Sequence, residues 1–224
     1  MSQNTYHICL IVEGAEEFAF FSTMNEAGVV SETISLTVVN AGGGGAVVPL
    51  FQDYLSYELF DCVLCVYDVD YRQNEPDSPF SKIREGLMKV LAETAIVDSV
   101  SFCTNPNFLQ IYLLSVKELS EVRLLDTSKT TNTAFVHLCW PDIAKKKTDD
   151  RGRDRTKVYD ATAWQLRIMN APLMEGIAKY RFLIRNARGL SKNYLQSNCP
   201  GSNVIDLIEA LLDGDCAFFR AREV

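Results

Sequence analysis

Short apolar runs alternate with helical spacings over the first half of the chain. Tyr6–Val12 (YHICLIV), rich in β-branched and aromatic residues, predicts a buried strand. Glu16–Ala27 follows as a helix, with Phe20, Phe21 and Met24 on one stripe and acids at its start, where the helix dipole favours them. Thr33–Val39 predicts a second strand. Val47–Tyr57 predicts a second helix, its stripe carried by Leu50, Phe51, Tyr54 and Leu55, and the glycine run Gly42–Gly45 between them reads as a loop. Cys62–Tyr67 (CVLCVY) is wholly apolar, as a central strand covered on both faces should be. A polar loop over Tyr71–Pro79, a helix over about Phe80–Ala95, a strand over Ser99–Cys103 and a helix over Phe108–Val122 complete a βαβαβαβα order. That order argues for an α/β fold, a parallel sheet with helices on both faces, over about residues 5–125.

The second half reads differently. Ser128–Asp160 has little periodicity, although Thr133–Trp140 suits either a strand or a helical segment. Helical spacing returns over about Thr162–Arg188, with Pro172 near its middle, and over Asn203–Leu212. The expected organisation is a sheet domain over 1–125 and a helical, basic extension over 126–224 packed on it.

Charge sharpens this division. Residues 1–144 carry 7 Lys and Arg against 19 Asp and Glu, whereas residues 145–224 carry 15 against 10, so a net −12 precedes a net +5. An acidic front and a basic back suit a protein that gathers cations at one place and meets a polyanion at another. The 224 residues are 47% apolar and 23% charged, which excludes a disordered or collagen-like chain. No apolar run approaches the roughly 20 residues of a membrane span, so no membrane association is expected. The start MSQNTYHICLIVEG lacks the features of a secretory signal, and seven cysteines scattered through apolar segments read as reduced core thiols. A cytoplasmic protein is expected.

Candidate chemistry lies at the strand ends. Glu13 follows the first strand in V-E-G-A-E-E-F, and Asp68 and Asp70 follow the third in C-V-Y-D-V-D-Y. In an open α/β sheet, ligands bind at the carboxyl ends of the strands, where strand order reverses. If strands one and three are neighbours, Glu13 and Asp68 converge, and in extended chain Asp70 points the same way as Asp68. Clustered carboxylates of this kind select a hard cation such as Mg²⁺ or Mn²⁺.

These segments carry a resemblance. IVEGAEEFAFF resembles the first motif of TOPRIM domains, with Glu13 and Gly14 on its Glu-Gly and Glu17 on the acid of the following helix; VLCVYDVD resembles the second, with Asp68 and Asp70 on its D-x-D. TNPNFLQIYLL at Thr104–Leu114 and NCPGSNVIDLIEALL at Asn198–Leu212 resemble two further segments of the RloB-like family of TOPRIM proteins, so that the likeness spans about residues 8–212. The resemblance implies a TOPRIM-like fold and a nuclease of bacterial antiphage defence, working beside an ATPase of the ABC type and acting alone or as a homo-oligomer. It implies Glu13, Glu17, Asp68 and Asp70 as catalytic residues, with Glu13, Asp68 and Asp70 holding Mg²⁺ or Mn²⁺. The chain departs from the family at Leu109, where the family carries an acid, and at Ser115, where it carries histidine. A topoisomerase would need a catalytic tyrosine in a further domain, and a degenerate TOPRIM module that binds nucleic acid or the partner ATPase is the non-enzymatic alternative.

Basic residues supply the expected nucleic-acid track. Seven of the thirteen residues of Lys145–Lys157 are basic, including Lys145, Lys146, Lys147, Arg151, Arg153 and Arg155. Arg181, Arg185, Arg188 and Lys192 are spaced to line one helix face, which reads equally as a phosphate track, for DNA or RNA, or as a solvated surface. The glycine run lacks the G-K-[ST] ending of a P-loop. Cys62 and Cys65 would face opposite sides of a strand, and with two histidines in the chain neither zinc nor a His-based hydrolase is expected.

Overall fold

The computed structural model describes residues 5–70, 72, 74–92, 94–116, 133, 136–137, 139–145, 151–152, 159–170, 176–188, 190 and 201–223. Their sheet has the order β2-β1-β3-β4-β5: β1 is Tyr6–Val12, β2 Ile34–Asn40, β3 Cys62–Asp68, β4 Ser101–Asn105 and β5 Gly201–Ser202. The first four pair in parallel, and β5 closes the edge of β4 antiparallel. The architecture is therefore α/β, a mostly parallel five-stranded sheet flanked by helices.

The central strands β1 and β3 are buried almost throughout, which is why both read as unbroken apolar runs. Helix α1 (Ala15–Glu26) buries Phe20, Phe21 and Met24, as its stripe predicts. Phe20 meets Phe108, Tyr112 and Tyr180 edge-on at centroid distances of 5.3, 5.7 and 5.7 Å. Those rings belong to the chain before and within α5 (Leu109–Val116) and to α7 (Ile177–Ala187), so three helices share one aromatic core. Helix α2 (Gly44–Ser56) packs on α3 (Pro79–Leu91), which in turn packs on α4 (Thr94–Val100). Ser78 caps α3 by accepting the Ser81 N–H at 3.1 Å, with Pro79 in the first turn where its missing N–H costs nothing.

Three elements depart from the sequence reading. The glycine run is half helix, because α2 begins at Gly44. The expected helix over Phe80–Ala95 ends at Leu91, since Ala92 turns left-handed (φ 61°), and α4 fills the space before a strand displaced to Ser101–Asn105. The edge strand β5 had no signal in two residues. Its anchor is Asn203, whose Oδ1 accepts the Cys103 N–H at 2.6 Å and whose Nδ2 donates to the Ser101 carbonyl at 3.0 Å, a side chain serving as a strand partner for β4.

In the second half, the described residues Thr133, Val136, His137 and Cys139 are helical. The expected helix over Thr162–Arg188 is two, α6 (Ala161–Asn170) and α7, and the closing one is α8 (Val204–Asp213), followed by the short α9 (Cys216–Arg220). α8 packs against α7 and β4. The expected boundary near residue 125 lies outside the described residues. The six cysteines among the described residues are free thiols. Among the described residues no helix is long and apolar enough to cross a membrane.

Candidate functional site

The chain leaves β1 towards β2 on one side, while β3 lies on the other, so the crevice between the carboxyl ends of β1 and β3 is where strand order reverses. Glu13 extends the ladder one residue past β1 by donating its N–H to the Val66 carbonyl at 2.9 Å. Its Oε2 then accepts the N–H of Asp68, the last residue of β3, at 3.0 Å. The convergence expected of these two acids is thus built from neighbouring strands. Asp68 in turn accepts the Phe108 N–H at 2.8 Å, at the entry to α5. Glu17, on the first turn of α1 and only 3% exposed, accepts the Gly14 N–H at 3.1 Å.

Geometry favours glycine at 44. A Cβ there would stand 3.0 Å from Glu13 Oε1 and 3.2 Å from Ile83 Cδ1, tight enough to push both side-chain ends aside by a few tenths of an ångström. Without it, α2 starts directly beside Glu13, and the Gly44 amide stabilises that carboxylate. The starts of α1, α2 and α5 therefore each turn backbone N–H groups on one acid: Glu17, Glu13 and Asp68 respectively.

Asp70 reaches the cluster by a different route from the one the sequence suggests. The chain is not extended past β3; Val69 is buried and Asp70 adopts a left-handed conformation (φ 55°), its N–H donating to the Pro106 carbonyl at 2.6 Å. Asp70 is exposed, yet its charge still raises the proton affinity of both Glu13 and Asp68.

All four carboxyls hold protons more tightly than free ones. Burial, then repulsion by Glu16 and Glu13, pushes Glu17 up to about 8. Asp68 is raised well above the carboxylate range by burial and then by Glu17, Glu13 and Asp70. Glu13 is raised by burial against the opposing amides of Asp68 and Gly44, and Asp70, though its side chain reaches solvent, by partial loss of hydration against the Arg72 guanidinium. Backbone amides, rather than cationic side chains, oppose the shifts at Glu13, Glu17 and Asp68.

The donors are all hard oxygens, the type Mg²⁺ and Mn²⁺ prefer. The loop that carries the Phe108 amide adds the buried Oδ1 of Asn107, which has no hydrogen-bond partner among the described residues. As the side chains stand, no group of three or more His, Cys, Asp and Glu among the described residues is arranged to hold a metal ion. Glu13 Oε2 and Asp68 Oδ1 are turned onto amides, which leaves the second oxygen of each outside these bonds.

The basic track is less concentrated. Lys145 pairs with Asp160 at 2.6 Å, and Arg181 pairs with Asp213. Arg185 lies over the Phe182 ring at 5.3 Å; it and Arg188 share the exposed face of α7, as their spacing predicts. Arg151 is exposed, while Lys146, Lys147, Arg153, Arg155 and Lys192 lie outside the described residues. Leu109 is 3% exposed and belongs to the core, and Ser115 donates to the Tyr112 carbonyl at 2.6 Å.

Sequence reasoning missed the parts played by the Phe108 amide and by Gly44. The signals for both were present, in N-P-N opening a helix and in the glycine run. Comparison of the chain with protein families, curated proteins and solved structures finds no match.

Proposed function

We propose that this protein is a Mg²⁺- or Mn²⁺-dependent phosphodiesterase acting on nucleic acid, a TOPRIM-type nuclease of the RloB-like kind used in bacterial antiphage defence. The observation that carries the reading is the gathering of Glu13, Glu17, Asp68 and Asp70 at the crevice between β1 and β3, all with raised proton affinity and with amides, not side-chain cations, opposing the shifts at three of them. A fold keeps such repulsion where a ligand relieves it.

In this reading Glu13, Asp68 and Asp70 hold the cation. When bound, it supplies charge stabilisation for the phosphate and lowers the pKa of water at the site. The chain does the rest. The amides of Gly44 and Phe108 fix the carboxylates of Glu13 and Asp68 on the floor of the crevice. Glu17, with its pKa near 8, keeps its proton at neutral pH and gives it up once neighbouring charge is neutralised, which makes it the acid–base group of the set. Arg185, on a helix packed against α5, and Arg188, which caps that helix, suit the phosphate backbone flanking the site.

Leu109 favours a second reading. It is buried in the core where the resembled family carries an acid, as in a non-catalytic module that binds nucleic acid or a partner ATPase of the ABC type. One experiment separates the two. Plasmid, single-stranded DNA and bulk tRNA are incubated with the protein in Mn²⁺ and in EDTA. The nuclease reading predicts cleavage in Mn²⁺ that EDTA and Asp68→Ala both abolish. Binding without cleavage under every condition supports the module.

A further inference from the structure

A groove of about 350 Å³ runs between α2 and α3, with Val48, Pro79, Ile83 and Gly86 as its walls and Lys82 and Asp77 at its rim. Its inner end is Gly44, the residue that lies against Glu13, so the groove opens directly beside the carboxylates. Its size and mostly apolar lining, with a few polar groups at one edge, are those of a small-ligand site.

The glycines lining it differ in what they answer to. Gly86 is demanded by packing, since a Cβ there would stand 2.7 Å from Val48 Cγ2. Gly45, which also lines the groove, answers to nothing in the fold. It is the second residue of α2, a Cβ there would meet nothing within 4 Å, and its φ lies outside the left-handed range. No neighbour excludes a side chain at 45, so a large one placed there is a direct way to obstruct the groove. Lys82 and Asp77 are both exposed and make no ion pair with each other or with any described residue.

We propose that this groove seats one nucleotide unit of the bound strand, next to the cation site proposed at Glu13 and Asp68; the inference rests on the nucleic-acid reading above. Val48 and Pro79 offer apolar surface to the faces of a base over a floor closed by the buried Ile83, as sequence-tolerant strand binding requires. Asp77, an acceptor, faces the amino or hydroxyl groups of the nucleoside, and Lys82 faces the adjoining phosphate.

The test uses the full chain in EDTA, where cleavage does not intrude, with short labelled single-stranded DNA and RNA followed by fluorescence anisotropy. Gly45→Ala should stay folded and keep affinity within about twofold. Gly45→Leu should remain folded yet weaken binding about tenfold or more, by filling the groove. Lys82→Glu should weaken binding and lower the salt slope by about one. A folded Gly45→Leu protein that binds like wild type overturns the groove assignment while leaving the nuclease reading in place. Should that variant fail to fold, an unchanged affinity and salt slope in Lys82→Glu overturn it instead. A wild-type protein that binds neither strand, in EDTA or in Ca²⁺, overturns the nucleic-acid reading, and the groove assignment with it.

Discussion

Asp68 and Arg181 are both charged side chains, but the chain treats them in opposite ways. Asp68 sits at the end of a central strand, desolvated, facing three other acids, with its carboxylate held by a backbone amide. Arg181 stands on an exposed helix face and is paired with Asp213. The same contrast separates the crevice acids from the paired surface charges, which include Arg84 with Asp98 and Lys89 with Glu85 in the first half. Lys145, Arg167 and Arg181 each have an acidic partner in solvent, where such pairs contribute little. At the crevice Glu13, Glu17 and Asp68 bind protons more tightly, first because they are desolvated and then because each is repelled by neighbouring acids. Charge on the surface is relaxed, while charge at the crevice is held under repulsion. Unrelieved repulsion marks a binding site more specifically than a count of charged residues does.

The largest effect should come from the front. Asp68→Ala is expected to lower Mn²⁺-dependent cleavage of nucleic acid by on the order of a thousandfold while the protein stays folded, as followed by gel assay and circular dichroism. Glu13→Gln should behave alike. Survival of activity in either variant, or in EDTA, would erase the distinction between crevice and surface.

Proton linkage gives the next effect. Glu17 has a raised folded-state pKa, about 8 against an unfolded value near 4.3. The folded state then binds more protons than the unfolded state between these values, so stability is fully present below about pH 4 and is lost as pH rises towards 8. Chemical denaturation without metal should therefore show a loss of a few kcal/mol across that range. Glu17→Gln should make the profile shallower, leaving the slope that Glu13, Asp68 and Asp70 contribute. A profile that is level or rises with pH in the wild type would mean that the crowded acids cost the fold nothing.

The smallest effect concerns the back. Arg185→Glu and Arg188→Glu should each weaken oligonucleotide binding by a few-fold and reduce its salt slope by about one. Arg181→Glu should do less, because that guanidinium is already engaged by Asp213. Equal losses at all three positions would show that the Asp213 pair does not hold in solution.

Sequence pattern reached some of this and not the rest, for physical reasons. The ends of β1 and β3 were legible because central strands are buried on both faces, so each apolar run stops where the chain emerges at Glu13 and Asp68. Neighbouring pairing of β1 and β3 was only a condition in the sequence, since order in a sheet is a long-range property. The bend at Asp70 was invisible. It depends on the Pro106 carbonyl, 36 positions away in the chain, accepting its N–H. The shift of β4 by two residues follows from the left-handed end of α3 at Ala92, a residue with no turn signature. Gly44 and Gly45 look identical in sequence, and only the position of Glu13 distinguishes the glycine that packing favours from the one it does not.

The central claim is that the crowded acids are a cation site, and a paired melting experiment tests it most directly. Wild type and Asp68→Asn are melted in EDTA and again in excess Mn²⁺. Relieved repulsion should make the variant melt higher than wild type in EDTA, and loss of a ligand should make it gain less from Mn²⁺. The wild type should gain about 2.7 kcal/mol at a hundredfold excess over its dissociation constant. A variant that melts lower in EDTA, together with a wild type indifferent to Mn²⁺, would make these carboxylates structural and contradict the account.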